Sequence, residues 1–393
     1  MSYRAIYAYA WDLAERGVAA VVDEVRALGL DTISLASSYH AGRFLRPKGS
    51  AGKVYFPDDG TVYFKARPEL YATIKPIQNG LVAERDVLRE ICATSGIAAN
   101  AWLVLMHNTR LGQAHPQSTV RSAFGDRYIY SLCPTAPEAR QYATALCRDI
   151  TESYPVAGIS LETPGFLPYV HGFHHEFALV RQNRWLDNHL GLCFCDHCLD
   201  GAAAAGIDAR RLRARVAQDI EAYLASDLDF PDDMAEAFWL SDSRTDGDLS
   251  AYLRWRCDVV TSLVREIRGA VRADASVAVI PSVARPSAGA WYEGSDLRGL
   301  AEAAGIIEAC FYEPSAERVR ADAWDVRRRL GGVGHLRGIL RPAHPDLKSR
   351  AEVVAAVAGL RALGITEIAF YNYGHVRRSS LEWIGAALAG SGT

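Results

Sequence analysis

The sequence predicts an α/β fold of the (β/α)8 TIM-barrel type, and three observations lead to that prediction. Eight short apolar runs alternate with segments of helical periodicity along the chain. The runs are continuously apolar, as parallel strands covered on both faces should be. Polar or aromatic residues follow most of them, as expected where a barrel builds its site. A doubly wound open sheet is the alternative, but no glycine-rich phosphate loop follows the first run.

Each predicted strand is a short run of apolar residues. The eight strands are predicted at residues 4–11, 32–36, 98–106, 156–161, 277–282, 306–312, 336–340 and 365–370. The predicted helices share a 3.6-residue apolar period and are 17–28, 84–94, 137–153, 208–226, 247–273, 296–305, 318–330, 351–363 and 380–388. Proline and glycine residues support the predicted helix ends. Pro137 suits the first turn of a helix, and Gly29 and Gly364 suit the residue that ends one.

We expect residues 1–393 to form a single TIM-barrel catalytic domain with two insertions. Residues 41–80 are rich in glycine, proline and aromatic residues, which is typical of a lid or binding loop. Residues 199–273 form a helical insertion that follows a group of cysteines.

Bulk properties limit the partners. A net charge of −3 over 393 residues argues against nucleic acid as a partner. No apolar run approaches the roughly 20 residues of a membrane helix, so we expect no membrane partner. The N-terminus leads directly into the first strand with no signal peptide, which favours a cytoplasmic protein. The oligomeric state stays open, with a homo-oligomer as one option.

The residues that follow the predicted strands should share one face of the barrel. They are polar, aromatic or acidic, namely Asp12, Tyr39, His40, His107, Asn108, Glu162, Ser282, Glu313, Arg341, Tyr371, Asn372 and Tyr373. Aromatic faces and planar hydrogen-bonding groups suit a polyhydroxylated ring such as a sugar. The alternative is that each residue caps a helix or fixes a loop.

Two of these acids could carry out glycoside chemistry. One carboxyl protonates the leaving oxygen while the other attacks the anomeric carbon or activates water. We predict Glu162 as the acid/base and Glu313 as the nucleophile or second carboxylate, with Asp12 and Glu176 as substitutes. Retention or inversion stays open.

A histidine cluster follows the fourth strand and comprises His171, His174 and His175, with Glu176 directly after it. These side chains could bind substrate through hydrogen bonds, or bind a catalytic metal together with Glu162. We favour substrate binding.

The spacing of Cys193, Cys195 and Cys198 suits a tetrahedral structural zinc ion, which needs one further ligand. Cys133 is the predicted fourth ligand and His197 a weaker candidate. Three reduced thiols without metal are the alternative. The remaining cysteines lie in apolar patterns and are predicted to be core residues.

The predicted (β/α)8 chain resembles glycoside-hydrolase-like barrels, including uncharacterised bacterial hypothetical glycosyl hydrolases. The resemblance rests on Cys133-Pro134 before the fourth βα unit, on Glu162 at the end of the fourth strand, and on Cys193, Cys195 and Cys198 beyond it. The cysteine cluster is similar in kind to that of the family 42 β-galactosidases. That family carries Asn-Glu at the fourth strand and a nucleophilic Glu at the seventh. This chain has Leu161-Glu162 and Arg341 there, so only Glu162 matches by position.

The sequence therefore predicts a glycosidase acting on a small-molecule glycoside or an oligosaccharide. His40, His107, His174, Tyr371 and Asn372 would hold hydroxyl groups, and residues 41–80 would close the pocket. The alternatives are a divalent-metal-dependent sugar isomerase or epimerase, and a non-catalytic carbohydrate-binding barrel.

Overall fold

The computed structural model describes residues 3–171, 173 and 177–390, and its centre is a closed barrel of eight parallel strands. In chain order the strands are β1 (Arg4–Tyr9), β2 (Thr32–Tyr39), β3 (Ala98–Val104), β4 (Gly158–Glu162), β5 (Ser276–Ile280), β6 (Gly305–Cys310), β7 (His335–Leu340) and β8 (Ile368–Phe370). The barrel closes because β1 pairs with both β2 and β8. The predicted (β/α)8 fold is confirmed.

Helices surround the barrel and cover the outer faces of its strands. The outer helices are Val18–Ala27, Val87–Ala93, Pro137–Ser153, Gly247–Ala270, Leu297–Ala304, Ala316–Leu330, Arg350–Ala362 and Arg378–Ala389. Side-chain caps begin several of them, since Asp86, Asp296, Ser315 and Ser349 each accept a backbone N–H of the first turn. Apolar cover accounts for the mostly apolar strands. The prediction of continuously apolar strands is wrong inside the barrel, where Asn100 donates to Ser34 and Ser160, and Ser160 donates to Glu308.

Strand boundaries differ from the prediction at both ends of the chain. The first strand ends at Tyr9, and Trp11 and Asp12 lie in a short helix, Ala10–Arg16. The last strand begins at Ile368, because Ile365 still donates its N–H to the carbonyl of Leu360 in the preceding helix terminus. An apolar run alone does not show where a chain leaves a helix terminus and enters a strand.

The segment after β2 contains short elements that the sequence did not predict. Two short strands, Phe44–Leu45 and Val54–Tyr55, form an antiparallel pair. Two more extend the main sheet from β2, because Thr61–Val62 pairs with it and Ile77–Gln78 pairs with Thr61–Val62. Short helices complete this segment at Pro68–Leu70 and Leu81–Glu84.

An ion-pair clamp attaches this segment to the barrel. The buried guanidinium of Arg46 contacts Asp12 at 2.7 Å and also contacts Glu15. Glu15 accepts hydrogen bonds from the backbone N–H groups of Ser50 and Ala51. Three polar groups of the loop are thus held by two acids of one helix, Ala10–Arg16.

The segments after β3 and β4 form the other large excursions. After β3 come helix Thr109–Ala114, the turn Pro116–Ser118 and a hairpin of Thr119–Arg121 with Arg127–Leu132. After β4 come four helices, Arg184–Leu190, Asp196–Ala204, Ala209–Leu224 and Asp232–Thr245. They bury a second apolar core that includes Leu212, Val216, Trp239 and Tyr252. No helix in the described part of the chain is both long and apolar enough to cross a membrane.

Candidate active site at the carboxyl end of the barrel

A small cleft lies beyond the carboxyl ends of β4 and β5. Its volume is about 20 Å³, which is room for about one water molecule. It is lined by Glu162, Thr163, Leu167, Pro168, His171, Ile280, Ser282, Val283 and Glu293. Two of these residues are carboxylic acids, and one of the two, Glu293, was not among the residues predicted from the sequence.

Glu162 is the last residue of β4, and the enclosing side chains raise its pKa to about 7 from 4.5. The indole N–H of Trp102, on the neighbouring strand β3, donates to Oε2 of Glu162 at 2.5 Å. That hydrogen bond favours the ionised carboxylate and so opposes part of the increase in pKa. Glu162 therefore titrates close to neutral pH.

Glu293 ends the short 3₁₀ helix Ser287–Glu293, which follows β5. Burial raises its pKa to about 8, and the negative charge of Glu162 adds to the increase. The hydroxyl of Ser282 donates to Oε1 of Glu293 at 2.5 Å and, with the charge of Arg256, acts in the opposite direction. The two carboxyls of the cleft thus lie close enough to influence each other.

The loop after β4 lies directly against Glu293. The backbone N–H of Phe166 donates to the carbonyl of Glu293 at 2.9 Å. At Gly165, a Cβ atom would overlap that same carbonyl oxygen, so only glycine permits this approach. Contacts between the two loops therefore fix the position of the second carboxyl relative to β4.

A tyrosine network borders Glu162 on the barrel side. The Tyr9 hydroxyl lies 3.0 Å from that of Tyr39 and 2.8 Å from that of Tyr371, and His375 Nε2 lies 3.3 Å from it. Burial raises the pKa of Tyr39 and of Tyr371, and the charge of Glu162 contributes to both increases. The predicted residues Tyr39 and Tyr371 therefore belong to the surroundings of Glu162.

Three histidines form a row that leads from these tyrosines to the cleft. His40 stacks on Tyr39 and on His107, with ring centroids 4.3 Å apart in each case. His107 meets His171 edge to face at 5.6 Å, and His171 lines the cleft. The structure thus brings together the predicted residues His40, His107 and His171.

Arg341 lies at the same end of the barrel, against Tyr371 of the tyrosine network. Its guanidinium lies over the rings of Tyr312, at 4.0 Å, and Tyr371, at 5.7 Å. Asp346 is buried and contacts Arg341 at 3.2 Å and Arg285 at 2.9 Å. Arg341 therefore supports the ring of Tyr371.

Other predicted site residues make structural contacts instead of lining the cleft. Glu313 is buried, and its Oε2 accepts from Arg318 at 2.6 Å. Asp12 binds Arg46 in the clamp described above. Asn108 caps helix Thr109–Ala114 and donates to the carbonyl of Gly60, while Asn372 accepts the N–H of Gly374. His174, His175 and Glu176 lie outside the described residues.

The four predicted zinc cysteines lie together in the interior. Cys133, Cys193, Cys195 and Cys198 are at most 1% exposed, and their sulfur atoms all lie within 4.8 Å of one another. Cys133 is 3.5 Å from Cys198, 3.6 Å from Cys195 and 3.9 Å from Cys193. These separations far exceed the roughly 2.05 Å of a disulfide bond. The group could bind a metal ion.

The geometry fits zinc. Four sulfur atoms at about 2.3 Å from a tetrahedral Zn²⁺ lie about 3.8 Å from one another, close to the spacing from Cys133. Outer contacts hold the thiols in place, because the N–H of Arg121 points to Cys193 at 3.4 Å and the Thr135 hydroxyl lies 3.3 Å from Cys198. With four protein ligands, the ion would have no open position for chemistry.

Glu293, Trp102 and Tyr9 belong to the site but were not predicted as site residues from the sequence. Trp102 and Tyr9 lie within strands, where an apolar pattern suggests core packing and does not show which barrel side chains reach the site. Glu293 does leave a signal, because it is an acid between Tyr292 and Gly294 in the loop after β5. An acid in an aromatic segment beyond a barrel strand could have been included on that ground.

Comparison with known proteins identifies relatives of the fold. No protein-family model and no curated protein matches the chain. Among solved structures, the PgaB (BpsB) glycoside hydrolase domain from Bordetella bronchiseptica is similar with a TM-score of 0.58 and 16% identity, covering 99% of both chains. The α-L-fucosidase isoenzyme 2 from Paenibacillus thiaminolyticus has a TM-score of 0.53 and 14% identity, covering 99% of this chain and 49% of that one.

These similarities show that the chain shares its (β/α)8 barrel with glycoside hydrolases. The second match also shows that this chain spans about half the length of the fucosidase. The resemblance of the cysteine cluster to that of family 42 β-galactosidases stays a prediction.

Proposed function

We propose that this protein hydrolyses glycosidic bonds, with Glu162 and Glu293 as its two catalytic carboxyls. One observation carries the proposal, namely that both acids line the same cleft at the carboxyl end of the barrel. Active sites of this fold lie at that end. Glycoside hydrolysis uses a pair of carboxyls in which one donates a proton and the other acts as a base or nucleophile.

The electrostatics support this division of labour. The pKa of Glu162 is raised to about 7 and that of Glu293 to about 8, in part through the charge of Glu162. Burial is the main cause of both increases, and with these pKa values the pair retains a proton near neutral pH. A retained proton next to an ionised carboxylate is the starting state that acid-assisted cleavage requires.

We assign Glu162 as the acid/base, as predicted from the sequence, and Glu293 as the second carboxylate. The assignment rests on the position of Glu162 at a strand end and on its pKa of about 7, which lets the side chain both donate and accept a proton near neutral pH. The higher pKa of Glu293 taken alone would place the proton there. One experiment therefore tests whether Glu162 and Glu293 are the catalytic pair, and a second tests which of the two donates the proton.

The substrate class follows from the surroundings of the pair. His171, at the end of the histidine row, lines the cleft and offers a ring nitrogen of the kind that binds sugar hydroxyls. The buried Tyr9 and Tyr39 lie behind Glu162 and support the site without lining it. The fold shared with a glycoside hydrolase domain and a fucosidase supports a carbohydrate substrate, either a small glycoside or an oligosaccharide.

Replacement of each acid by glutamine tests the pair, and Glu313→Gln is the matched control. We expect Glu162→Gln and Glu293→Gln to lower kcat by about 10²–10⁴-fold on any 4-nitrophenyl glycoside that the wild type cleaves, since each removes a proton-transfer or nucleophilic group. Glu313→Gln should retain most activity. The reverse pattern, with Glu313→Gln inactive and Glu293→Gln active, would restore the pair predicted from the sequence.

The leaving group separates the two roles. 4-Nitrophenolate departs without protonation more readily than an alkoxide, so the variant lacking the acid should lose less activity on 4-nitrophenyl than on methyl glycosides. We expect this difference in Glu162→Gln. If it is found in Glu293→Gln instead, Glu293 is the proton donor.

We also propose that the four cysteines bind a structural zinc ion, on the basis of their burial and their sulfur–sulfur distances. They are the one group of three or more close metal-binding side chains in the described part of the chain. The metal-dependent isomerase alternative involves Glu162 and the histidines His171, His174 and His175, of which His174 and His175 lie outside that part.

A further inference from the structure

A buried arginine lies beside the segment that carries Glu293. Arg256 belongs to helix Gly247–Ala270 and is 0% exposed. None of its three side-chain nitrogen atoms, Nε, Nη1 and Nη2, has a hydrogen-bond partner in the described part of the chain. A charged group buried without such partners is unfavourable, so other interactions have to offset its lost hydration.

Two aromatic rings next to Glu293 provide part of that offset. The guanidinium carbon of Arg256 lies 4.3 Å from the centre of the Phe166 ring and 5.3 Å from that of the Tyr292 ring. The face of an aromatic ring attracts a cation. Tyr292 directly precedes Glu293 in the chain, and the backbone N–H of Phe166 donates to the Glu293 carbonyl. Both rings that contact the guanidinium therefore belong to direct neighbours of Glu293.

The helix backbone also packs against the residue that follows Glu293. A Cβ atom at Gly294 would lie 3.0 Å from the carbonyl oxygen of Arg256 and 2.6 Å from Cγ2 of Val260. Gly294 has a φ of 86°, a conformation that also favours glycine. The close approach of the helix to this glycine fixes the place of Arg256 relative to Glu293.

The cysteine cluster contacts the same helix one turn earlier. The Tyr252 hydroxyl donates to the carbonyl of Cys193, and the Tyr252 ring stacks on that of Phe194 with centroids 5.5 Å apart. These contacts restrict rotation of the helix. They thereby help to keep Arg256 against the segment that carries Glu293.

We propose that Arg256 is a positioning residue whose buried positive charge keeps Glu293 available as the ionised carboxylate of the catalytic pair. The inference rests on the proposed glycoside hydrolysis, in which Glu293 is the second carboxylate. When Glu293 ionises, its negative charge offsets the buried guanidinium, and this attraction is lost when Glu293 is protonated. Arg256 therefore favours the state in which Glu293 can attack the anomeric carbon or activate water.

Other charged and titratable groups also surround Glu293. The charge of Glu162 opposes its ionisation, whereas those of Arg184 and Arg256 favour it, and His171 lines the same cleft. The Arg184 side chain is 45% exposed and already forms an ion pair at 3.2 Å, so its charge is screened. Arg256 is fully buried, and its charge is therefore the less screened of the two cations.

The pH dependence of stability tests this interaction without requiring catalysis. We expect the change in Tm caused by Arg256→Met to be more favourable at pH 5 than at pH 9. At pH 5 Glu293 is protonated, so the substitution removes a buried charge that lacks its counter-charge. Loss of the cation raises the pKa of Glu293 further above about 8, so the variant loses more stability than the wild type as the pH rises to 9.

Three further variants separate this charge effect from packing, all measured by calorimetry at both pH values. In the Glu293→Gln background, Arg256→Met should change Tm equally at pH 5 and pH 9, because residue 293 no longer titrates. Arg254→Met, at an exposed arginine of the same helix, should show no such pH-dependent difference. Arg256→Gln, which keeps a polar group without the charge, should show the same pH dependence as Arg256→Met.

Kinetics then connects Arg256 to the reaction. On any glycoside that the wild type cleaves, the limb of the kcat/KM pH profile that belongs to Glu293 should move to higher pH in Arg256→Met, by about one unit or more. Arg256→Lys retains the charge and should keep that limb near its wild-type position. If no glycoside is cleaved but the stability result holds, hydrolysis fails while the interaction of Arg256 with Glu293 remains.

Three results would overturn the inference. One is a change in Tm that is the same at pH 5 and pH 9 in both Arg256→Met and Arg256→Gln. Another is a pH-dependent change that persists in the Glu293→Gln background, since Arg256 would then act on a different group. The third is an active Arg256→Met variant whose pH profile matches that of the wild type.

Discussion

Trp102 influences the protonation of Glu162 through one hydrogen bond, although it lies within a strand and was predicted only as part of an apolar run. Its indole N–H has a fixed direction because the ring packs among Tyr7, Tyr9, Tyr39 and Tyr371. An indole can donate but cannot accept, so it favours the ionised carboxylate. The hydrogen bond from Trp102 can therefore only lower the pKa of Glu162.

We predict that Trp102→Phe raises the pKa of Glu162 further above about 7, because burial remains and the opposing hydrogen bond is lost. The limb of the kcat/KM pH profile that belongs to Glu162 should move to higher pH, whichever of the two catalytic roles Glu162 has. Trp324→Phe, the same substitution at a tryptophan that is 56% exposed on helix Ala316–Leu330, is the matched control and should leave the profile unchanged. An unchanged profile would show that Glu162 does not govern that limb.

Glu293 and Glu313 show what the sequence could predict of the site and what it could not. Both acids follow barrel strands, and a strand pattern predicts that each lies near the carboxyl end. Which way the side chain turns depends on partners elsewhere in the chain. Arg318 holds Glu313 within its own βα unit, while Ser282 and Phe166 hold Glu293 at the cleft.

At the scale of elements, the clamp formed by Arg46, Asp12 and Glu15 makes the segment after β2 an ordered part of the molecule. The sequence predicted a lid over 41–80 from composition alone. Composition could not predict that a buried arginine would attach this segment to helix Ala10–Arg16, because Asp12 was assigned to the substrate. That assignment assumed a longer first strand.

We predict that Arg46→Met lowers the free energy of unfolding by about 3–5 kcal/mol, because it leaves Asp12 buried without its partner. Residues 41–56 should also become more susceptible to limited proteolysis. Arg43→Met, at an exposed position of the same segment, should change neither measurement by much. Equal protease resistance in the two variants would contradict the role of the clamp.

The cysteine cluster joins the turn after strand Arg127–Leu132 to helix Asp196–Ala204. We predict one zinc ion per chain by elemental analysis of the purified protein, and its loss in Cys195→Ser, together with a lower Tm. Cys92→Ser, outside the cluster, should retain the metal. Wild-type protein without metal would instead support the alternative of reduced thiols alone.

At the scale of the whole molecule, the two acids make stability depend on pH. Burial raises both pKa values from 4.5, to about 7 for Glu162 and about 8 for Glu293. The native state therefore binds these protons more tightly than the unfolded state. Their contribution to stability is complete below about pH 4.5 and is lost as the pH rises through about 7 to 8.

We predict that Glu162→Gln and Glu293→Gln are more stable than the wild type at pH 9, by about 2–3 kcal/mol, and closer to it at pH 5. The magnitude follows from about 1.4 kcal/mol for each unit of pKa increase, less the imperfect fit of an amide. Urea unfolding at the two pH values measures it, and Glu84→Gln, at an exposed acid, is the control. Parallel pH curves for wild type and variants would contradict the raised pKa values.

The barrel itself could be predicted from the sequence because its eight strands are each short, apolar and separated by helical periods. The same reasoning could not predict the second apolar core around Trp239 and Tyr252, which depends on how four helices after β4 meet. Local periodicity shows that a helix has an apolar face, but not which partner covers it.

The cysteine cluster has a further consequence for the chain between its members. Cys133 and Cys193 are 60 residues apart, and Glu162 with the loop after β4 that lines its cleft lies between them. If the cluster holds the proposed zinc ion, the resulting cross-link closes a loop of this length and restricts the unfolded chain by about 4 kcal/mol. Because this entropy grows only with the logarithm of length, doubling the loop changes it by about 0.6 kcal/mol. The loop after β4 can therefore change length at little cost in stability.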